Sequence, residues 1–270
     1  MIDAGAQGKQ QERPAVTVVL PAFNEEKRLP KFLKRLVDAY AHDNYEILVV
    51  DDGSTDDTAR VARRCGARVV RYERNQGKGV AVRLGTWKAR GSKIVFVDSD
   101  GAVPCSEVSR VVEVLERSDF VVGVRKRGVA RSPVRRLLNR AFTLLVNASF
   151  GLRIKDPTCG CKGIRKDAVE TVFGEFYLRR WAFDVELIYR AVKGGLRSRQ
   201  LQVEWHEKGD SKLTRSTPFR MLLEVAYLRV RSILDRFRHS PVSRNGTEPE
   251  RCCHQEDSPD AHNVGDQRPQ

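Results

Sequence analysis

Five short runs rich in β-branched residues punctuate the first half of the chain: VTVVL (16–20), YEILVV (45–50), ARVVRY (67–72), KIVFV (93–97) and DFVVGV (119–124). Their near-continuous apolar character predicts strands buried on both faces, the habit of parallel strands covered by helices. The segments between them carry the other periodicity. Leu29, Phe32, Leu33, Leu36, Val37 and Tyr40 repeat at helical spacing, with Pro30 tolerated in the first turn, and predict a helix packed on the sheet. Ser54, with Asp57 three residues on, reads as the cap of the next helix. Strands alternating with helices leave few topologies open: an α/β fold with a mostly parallel, Rossmann-like sheet.

In such a sheet, ligands bind where loops leave the carboxyl ends of the strands. Those loops read PAFNEE, DDGSTDD, RNQGKG and DSDG after the first four strands. Each alone is ordinary turn chemistry, because Asp, Asn, Ser and Gly populate most turns. Four in register gather acidic and small residues on one rim. If the backbone stays extended past Val97, Asp98 and Asp100 point to the same side and their carboxylates converge. Two like charges at close range call for a cation between them. The competing reading is a solvated turn ended by Gly101. GKG at 77–79 is not a P-loop, since no Ser or Thr follows the lysine, yet Lys78 is able to approach a phosphate.

At 270 residues the chain supports one large domain or two small ones. No apolar run approaches the roughly 18 residues that span a bilayer. MIDAGAQGKQQERPA lacks the apolar segment of a secretion signal, so no spanning helix is expected and the site is expected to face the cytosol. Net charge is +14, and residues 239–270 carry three Arg against six Asp or Glu, which leaves +17 on residues 1–238. That surface suits nucleic acid, anionic lipid headgroups or phosphorylated small molecules. A nucleic-acid module would not explain the acidic rim. With 7% aromatics in no stacking arrangement and no nucleic-acid motif, it is not expected as a partner. The CxC at Cys159 and Cys161 and the Cys252, Cys253, His254 cluster match no common zinc module and read as reduced thiols.

The second half changes character. Arg125, Lys126, Arg127, Arg131, Arg135, Arg136 and Arg140 fall together with no acidic residue among them. Two helical stretches follow, Leu137 to Phe150 and Phe219 to Phe237. The latter places Phe219, Leu222, Leu223, Ala226, Val230, Ile233, Leu234 and Phe237 on one stripe, with arginines elsewhere. A basic amphipathic helix reads either as a membrane-surface element or as a helix that packs its stripe on the sheet. The expected organisation is a flexible 1–15, a folded 16–238 split into halves at 124/125, and a disordered tail over 239–270.

Taken in order, VTVVLPAFNEEKRLP, EILVVDDGSTDDT, NQGKGVAVRLG and IVFVDSDGA resemble the nucleotide-sugar half of family 2 glycosyltransferases. DPTCGCKGIRK (156–166), RRWAFDVELIYRA (179–191) and VEWHEKGDSKL (203–213) look more narrowly like dolichyl-phosphate β-glucosyltransferases and related polyprenyl-phosphate glycosyltransferases. The match spans about residues 16–235. It implies a GT-A fold, with a mixed, mostly parallel sheet flanked by helices and basic amphipathic helices in the C-terminal half.

The resemblance also implies chemistry. Asp98 and Asp100 become ligands of Mg²⁺ or Mn²⁺, which stabilises the departing diphosphate of the donor. Pro21, Ala22, Asn24, Glu25, Asp51 and Asp52 hold the nucleoside, Asp52 being the favoured base contact, and Lys78 sits near the nucleotide. Asp156 and Asp184 match aspartates with base or acceptor-positioning roles, and positioning is favoured because a phosphate acceptor needs no deprotonation. Arg125, Arg135 and Lys212 are the expected acceptor-phosphate ligands. Trp181 and Trp205 read as core packing or as rings against the sugar.

His206 stands near the place of an Arg in mannosyl-transferring relatives, which favours UDP-glucose over GDP-mannose. The implied reaction is inverting transfer of glucose to a polyprenyl or dolichyl phosphate. A GDP-mannose donor or a soluble acceptor on the same fold stays open. The family's eukaryotic members carry an N-terminal spanning segment that this sequence lacks. Peripheral attachment at the cytosolic membrane face is therefore expected, through the basic helices, a membrane-anchoring partner protein or both.

Overall fold

The computed structural model describes residues 13–41, 43–126, 133–180, 182–206 and 217–238. All five expected strands form, within two residues of their expected bounds: β1 (Val16–Ala22), β2 (Tyr45–Asp51), β3 (Arg68–Arg71), β4 (Lys93–Phe96) and β5 (Phe120–Arg125). Two more, β6 (Lys162–Arg165) and β7 (Ser198–Val203), complete a seven-stranded sheet in the order β3-β2-β1-β4-β6-β5-β7. The first four in that order run parallel. β6 runs antiparallel between β4 and β5, and β7 returns parallel on β5, so the sheet is mixed.

Both faces of the central strands are covered, which is why those strands read as near-continuous apolar runs. β1 is buried along its whole length, sending Val18 and Leu20 to one side and Val19 to the other. Helices α1 (Leu29–Tyr40), α2 (Thr58–Arg64) and α4 (Ser106–Leu115) cover the first side. On the second lie α3 (Lys78–Lys88), α5 (Pro133–Phe150), α6 (Val169–Phe173), α7 (Phe183–Lys193) and α8 (Thr217–Arg238). α1 has the expected bounds and buries Leu29, Phe32, Leu33, Leu36 and Tyr40. Each such Leu or Phe contributes about 1.5–3 kcal/mol through area removed from water.

One expectation is corrected, and one open choice is decided. Ser54 does not cap α2, which starts later, at Thr58 after Asp57, with no side-chain cap bond. The Ser54 hydroxyl instead accepts the backbone N–H of Asn24 at 2.9 Å, tying two loops together. Of the two readings left open for α8, the apolar stripe packed on the sheet is the one that does not form. The inward face of α8 is Val225, Leu228 and Ser232, whereas Phe219, Leu222, Leu223, Val230, Ile233 and Leu234 are exposed. A narrow inner face of three residues thus seats α8 on the core, and most of its apolar stripe turns outward. α5 packs against α8 and likewise exposes Leu137, Leu138, Leu144 and Leu145.

Candidate active site

Strand order reverses at β1, with β2 and β3 to one side and β4 to the other, so the loops leaving β1 and β4 diverge and open a crevice. Pro21 and Ala22 end β1 and are buried, and the Ala22 carbonyl accepts the N–H of Asp52 at 2.8 Å. Asn24 adopts a left-handed φ of 52°, a conformation asparagine tolerates better than most residues. Its Oδ1 accepts the Thr55 N–H at 2.9 Å, and the Glu25 N–H donates to Thr58 Oγ1 at 2.7 Å. The Glu25 carboxylate is gripped by Arg28. These bonds make the loops after β1 and β2 one rigid unit.

Asp51 and Asp52 shape the floor. Asp51 is fully buried; its Oδ1 accepts the Ser54 N–H at 2.9 Å, and Arg71 Nε lies 3.3 Å from Oδ2. Asp52 accepts from Gln76 N at 2.7 Å, Gly77 N at 2.9 Å and Asn75 Nδ2 at 2.9 Å. Burial pushes the Asp52 carboxyl above its ordinary value, against the pull of the Gln76 and Gly77 backbone amides. Asp52 therefore holds the loop that presents Lys78. Gly77 is needed there: its φ is +102°, and a Cβ on it would lie 2.4 Å from the Arg179 carbonyl oxygen.

Asp98 and Asp100 are not on an extended strand. β4 stops at Phe96, Asp98 precedes a turn that contains Asp100, and the turn leads into Gly101 at φ +69°. The same-side argument from strand geometry thus fails, yet the turn still sets the two carboxylates against each other. Burial, and next the charge of Asp98, hold the Asp100 carboxyl above its usual range. Asp100 Oδ1 accepts the Ala102 N–H at 2.9 Å, and Lys78 Nζ forms an ion pair with Asp98 Oδ1. Burial works against the Lys78 charge, but Asp98, Asp184 and Asp100 overcome it and push its pKa up. An ammonium is thus already drawn to this point. Two carboxylates with a like-charge penalty fit a hard divalent cation, which takes one or two carboxylates and completes its shell with substrate phosphate and water. Among the described residues no group of three or more His, Cys, Asp or Glu is placed to hold a metal alone.

The far wall comes from the second half. Arg125 forks onto Asp156 at 2.6 Å through both Nε and Nη2, reaches Thr158 Oγ1 at 2.7 Å, and lies 5.2 Å over the Trp205 ring. Burial would raise the Asp156 carboxyl, and the Arg125 fork more than reverses that, leaving it below its usual range. Trp205 packs on the hydrophobic core with Arg125 on its face. Asp184, in the first turn of α7, pairs with Lys162 Nζ at 2.6 Å, and Lys162 is fully buried. The structure thus brings Lys78, Asp98, Asp100 and Asp184 into one electrostatic cluster. Arg125 and Asp156 form a second, adjoining pair. The Arg135 side chain, Lys212, Trp181 and the Cys252, Cys253, His254 cluster lie outside the described residues. Cys159 and Cys161 are core residues, and burial raises the Cys159 thiol to about 11.

Sequence reasoning missed Lys162, Gly160 and Glu186. The last is fully buried in α7, accepting from Tyr177 N, Leu178 N and Arg190 Nε, and it fixes the loop leading to Asp184. The signal for Lys162 was a single lysine inside CGCKGI, which without the sheet order looks like an exposed charge.

Residues 17–173 match the family model described as glycosyl transferase family 2. The chain belongs to glycosyl transferase family 2. This glycosyltransferase is 36% identical over 242 residues to the dolichyl-phosphate beta-glucosyltransferase of Mus musculus, covering 77% of the chain and 75% of the relative. Identity to the protein of the same name from Homo sapiens is 34% over 77% and 75%, and to that of Saccharomyces cerevisiae 31% over 73% and 69%. Among solved structures, glucosyl-3-phosphoglycerate synthase of Mycobacterium tuberculosis superposes with a TM-score of 0.64 at 24% identity over 81% of each chain. Its complex with Mn²⁺, UDP-glucose and phosphoglyceric acid gives 0.64 at 22% identity over 81% of this chain and 80% of that one. These structures establish the GT-A-like fold of the glycosyltransferase.

Proposed function

We propose that this glycosyltransferase moves glucose from UDP-glucose onto a polyprenyl or dolichyl phosphate, inverting the anomeric centre to give a β-linked lipid-phosphate sugar. The observation that carries the reading is the likeness to dolichyl-phosphate beta-glucosyltransferases, which covers 77% of the chain and so extends past residue 173 into the half that holds Asp184. The site chemistry supports it. Asp98 and Asp100 are the residues that would hold Mg²⁺ or Mn²⁺, whose charge stabilises a departing diphosphate.

The remaining steps belong to side chains. The rigid unit of Pro21, Ala22, Asn24, Glu25 and Asp51 orients the nucleoside together with Asp52, the favoured base contact, which also fixes the loop bearing Lys78. A polyprenyl phosphate has a second pKa of about 6, so near neutrality it is a dianion and already nucleophilic. No general base is required. Asp156, held below its usual range by Arg125, is a weak base and a good anchor. Asp184, fixed by Lys162, is suited to accept sugar hydroxyls. Arg125, Arg135 and Lys212 receive the acceptor phosphate. Arg125 spends Nε and Nη2 on Asp156 and Thr158, so its Nη1 edge is the one offered.

The lipid acceptor implies a membrane surface, and the exposed leucines of α5 and α8 beside their arginines suit peripheral docking at the cytosolic face. Among the described residues no helix is long and apolar enough to cross a membrane. A membrane-anchoring partner protein would add to that hold. The test is the anomeric configuration of the product formed from UDP-[¹³C]glucose and a short polyprenyl phosphate, read by NMR. A β-linked lipid phosphate is expected. An α-linked product overturns the inversion, and absence of a lipid product overturns the acceptor.

A further inference from the structure

Lys78 stands where Asp98 would otherwise meet a cation. It is the first residue of α3, an unfavourable place for a positive charge at a helix N-terminus, and it is stabilised there by an ion pair to Asp98 Oδ1 with Asp184 and Asp100 also acting on it. The Phe183 ring lies 5.5 Å from the ammonium, a cation–π contact that holds it from the other side. Asp98 has little room to withdraw. Its Oδ2 fills the space a Cβ would take on Gly160, so the carboxylate is held against that glycine. An ammonium and a divalent cation repel each other strongly when they share one carboxylate.

We infer that Lys78 is the built-in counter-ion of Asp98 and surrenders it to the divalent cation only when a nucleoside diphosphate arrives to take the ammonium. This rests on the reading of Asp98 and Asp100 as metal ligands. The lysine stem is flexible enough for the exchange, its side chain is about one-third exposed (32%), and a diphosphate offers several charged oxygens. Metal and nucleotide then help each other bind, since whatever draws Lys78 off Asp98 raises the affinity for metal by the same factor that metal raises the affinity for the nucleotide. Lys78 thus acts as a gate that disfavours metal without donor.

The test measures two affinities on the full chain, Mn²⁺ alone by the EPR signal of the free ion and UDP in EDTA by calorimetry, for wild type, Lys78→Met, Lys78→Gln and Lys78→Arg. Removing the ammonium should tighten Mn²⁺ binding in the absence of nucleotide about tenfold, the size of effect expected for a neighbouring charge, and weaken metal-free UDP binding by a similar factor. Lys78→Arg, which keeps the charge, should bind Mn²⁺ alone as weakly as wild type. Opposite changes in the two affinities are not what a damaged fold produces, and two neutral variants guard against one that fails to fold. Equal Mn²⁺ affinity in wild type and both neutral variants, with UDP still raising it in all, overturns the gate and leaves the metal ligands in place. If no variant binds Mn²⁺ even with UDP, the metal reading itself falls and takes the gate with it.

Discussion

Gly160 and Asp98 occupy one shared space: a Cβ built on Gly160 would lie 2.1 Å from Asp98 Oδ2 and 2.5 Å from its Cγ. Asp98 is therefore aimed by the absence of a side chain on a neighbouring loop. Gly160→Ala should force Asp98 aside. A displacement of about 1 Å at a reacting centre costs on the order of 100-fold in rate. Steady-state turnover should fall by that order while the thermal midpoint drops by about 2–12 °C, as for an overpacking strain of about 1–3 kcal/mol. Turnover within twofold of wild type would show that Asp98 is free to move.

Lys162 and Asp184 form a buried pair, and breaking such a pair from one side leaves an uncompensated charge. Lys162→Met should destabilise the fold by about 3–5 kcal/mol in urea unfolding. Lys162→Met combined with Asp184→Asn should recover a good part of that loss. Equal stability of the single and double variants would show that the pair is not what the lysine contributes.

Acid sensitivity should be traceable to two carboxylates. The Arg197 fork holds the Asp119 carboxyl at about 2, against an ordinary 3.8, and Asp156 is shifted the same way by Arg125. A depressed folded-state pKa means stability that is present above the unfolded value and lost as pH falls through the folded one. Urea midpoints of wild type and Asp119→Asn should thus differ at pH 6 and converge as pH drops from about 4 toward 2. The difference should be small, because the Arg197 side chain is mostly solvent-exposed. A gap that widens with acid would contradict the assignment.

The outward leucines give the membrane surface a separate test. Replacing Leu137, Leu144, Leu222 and Leu223 with Ser should leave the thermal midpoint unchanged, since all four are exposed, and lower co-sedimentation with anionic liposomes. Burying one leucine is worth at least about 1.5 kcal/mol, so each loss should weaken binding about tenfold. Unchanged liposome binding would place the membrane contact elsewhere.

Much of the first half of the fold was legible because local sequence decides it. Buried parallel strands need apolar residues on both faces, and their C-terminal loops need turn formers, so β1 to β5 and the acidic rim follow from pattern. β6 and β7 were not legible. β6 is four residues long and opens on Lys162, and β7 is an edge strand whose SRQLQV is largely polar. Their place is decided by pairing partners more than 60 residues away in sequence for β6 with β4, which no local window contains. The same holds for the site. Asp98 and Asp100 could be singled out from spacing, though for a geometric reason the turn replaces. That Lys78, Asp184 and Lys162 converge near them depends on the N-termini of α3 and α7 meeting β6. The outward stripe of α8 was visible as a pattern, but which side it faced depended on Val225 and Leu228 packing into the core.

The most direct test is transfer itself: purified full chain, Mn²⁺ or Mg²⁺, radiolabelled UDP-glucose or GDP-mannose, and a short polyprenyl phosphate in competition with soluble phosphoglycerate. Label should enter the organic phase from UDP-glucose, not from GDP-mannose, and should vanish with Asp100→Asn. Label that stays in the aqueous phase on phosphoglycerate, or that enters the lipid only from GDP-mannose, would contradict the proposed reaction.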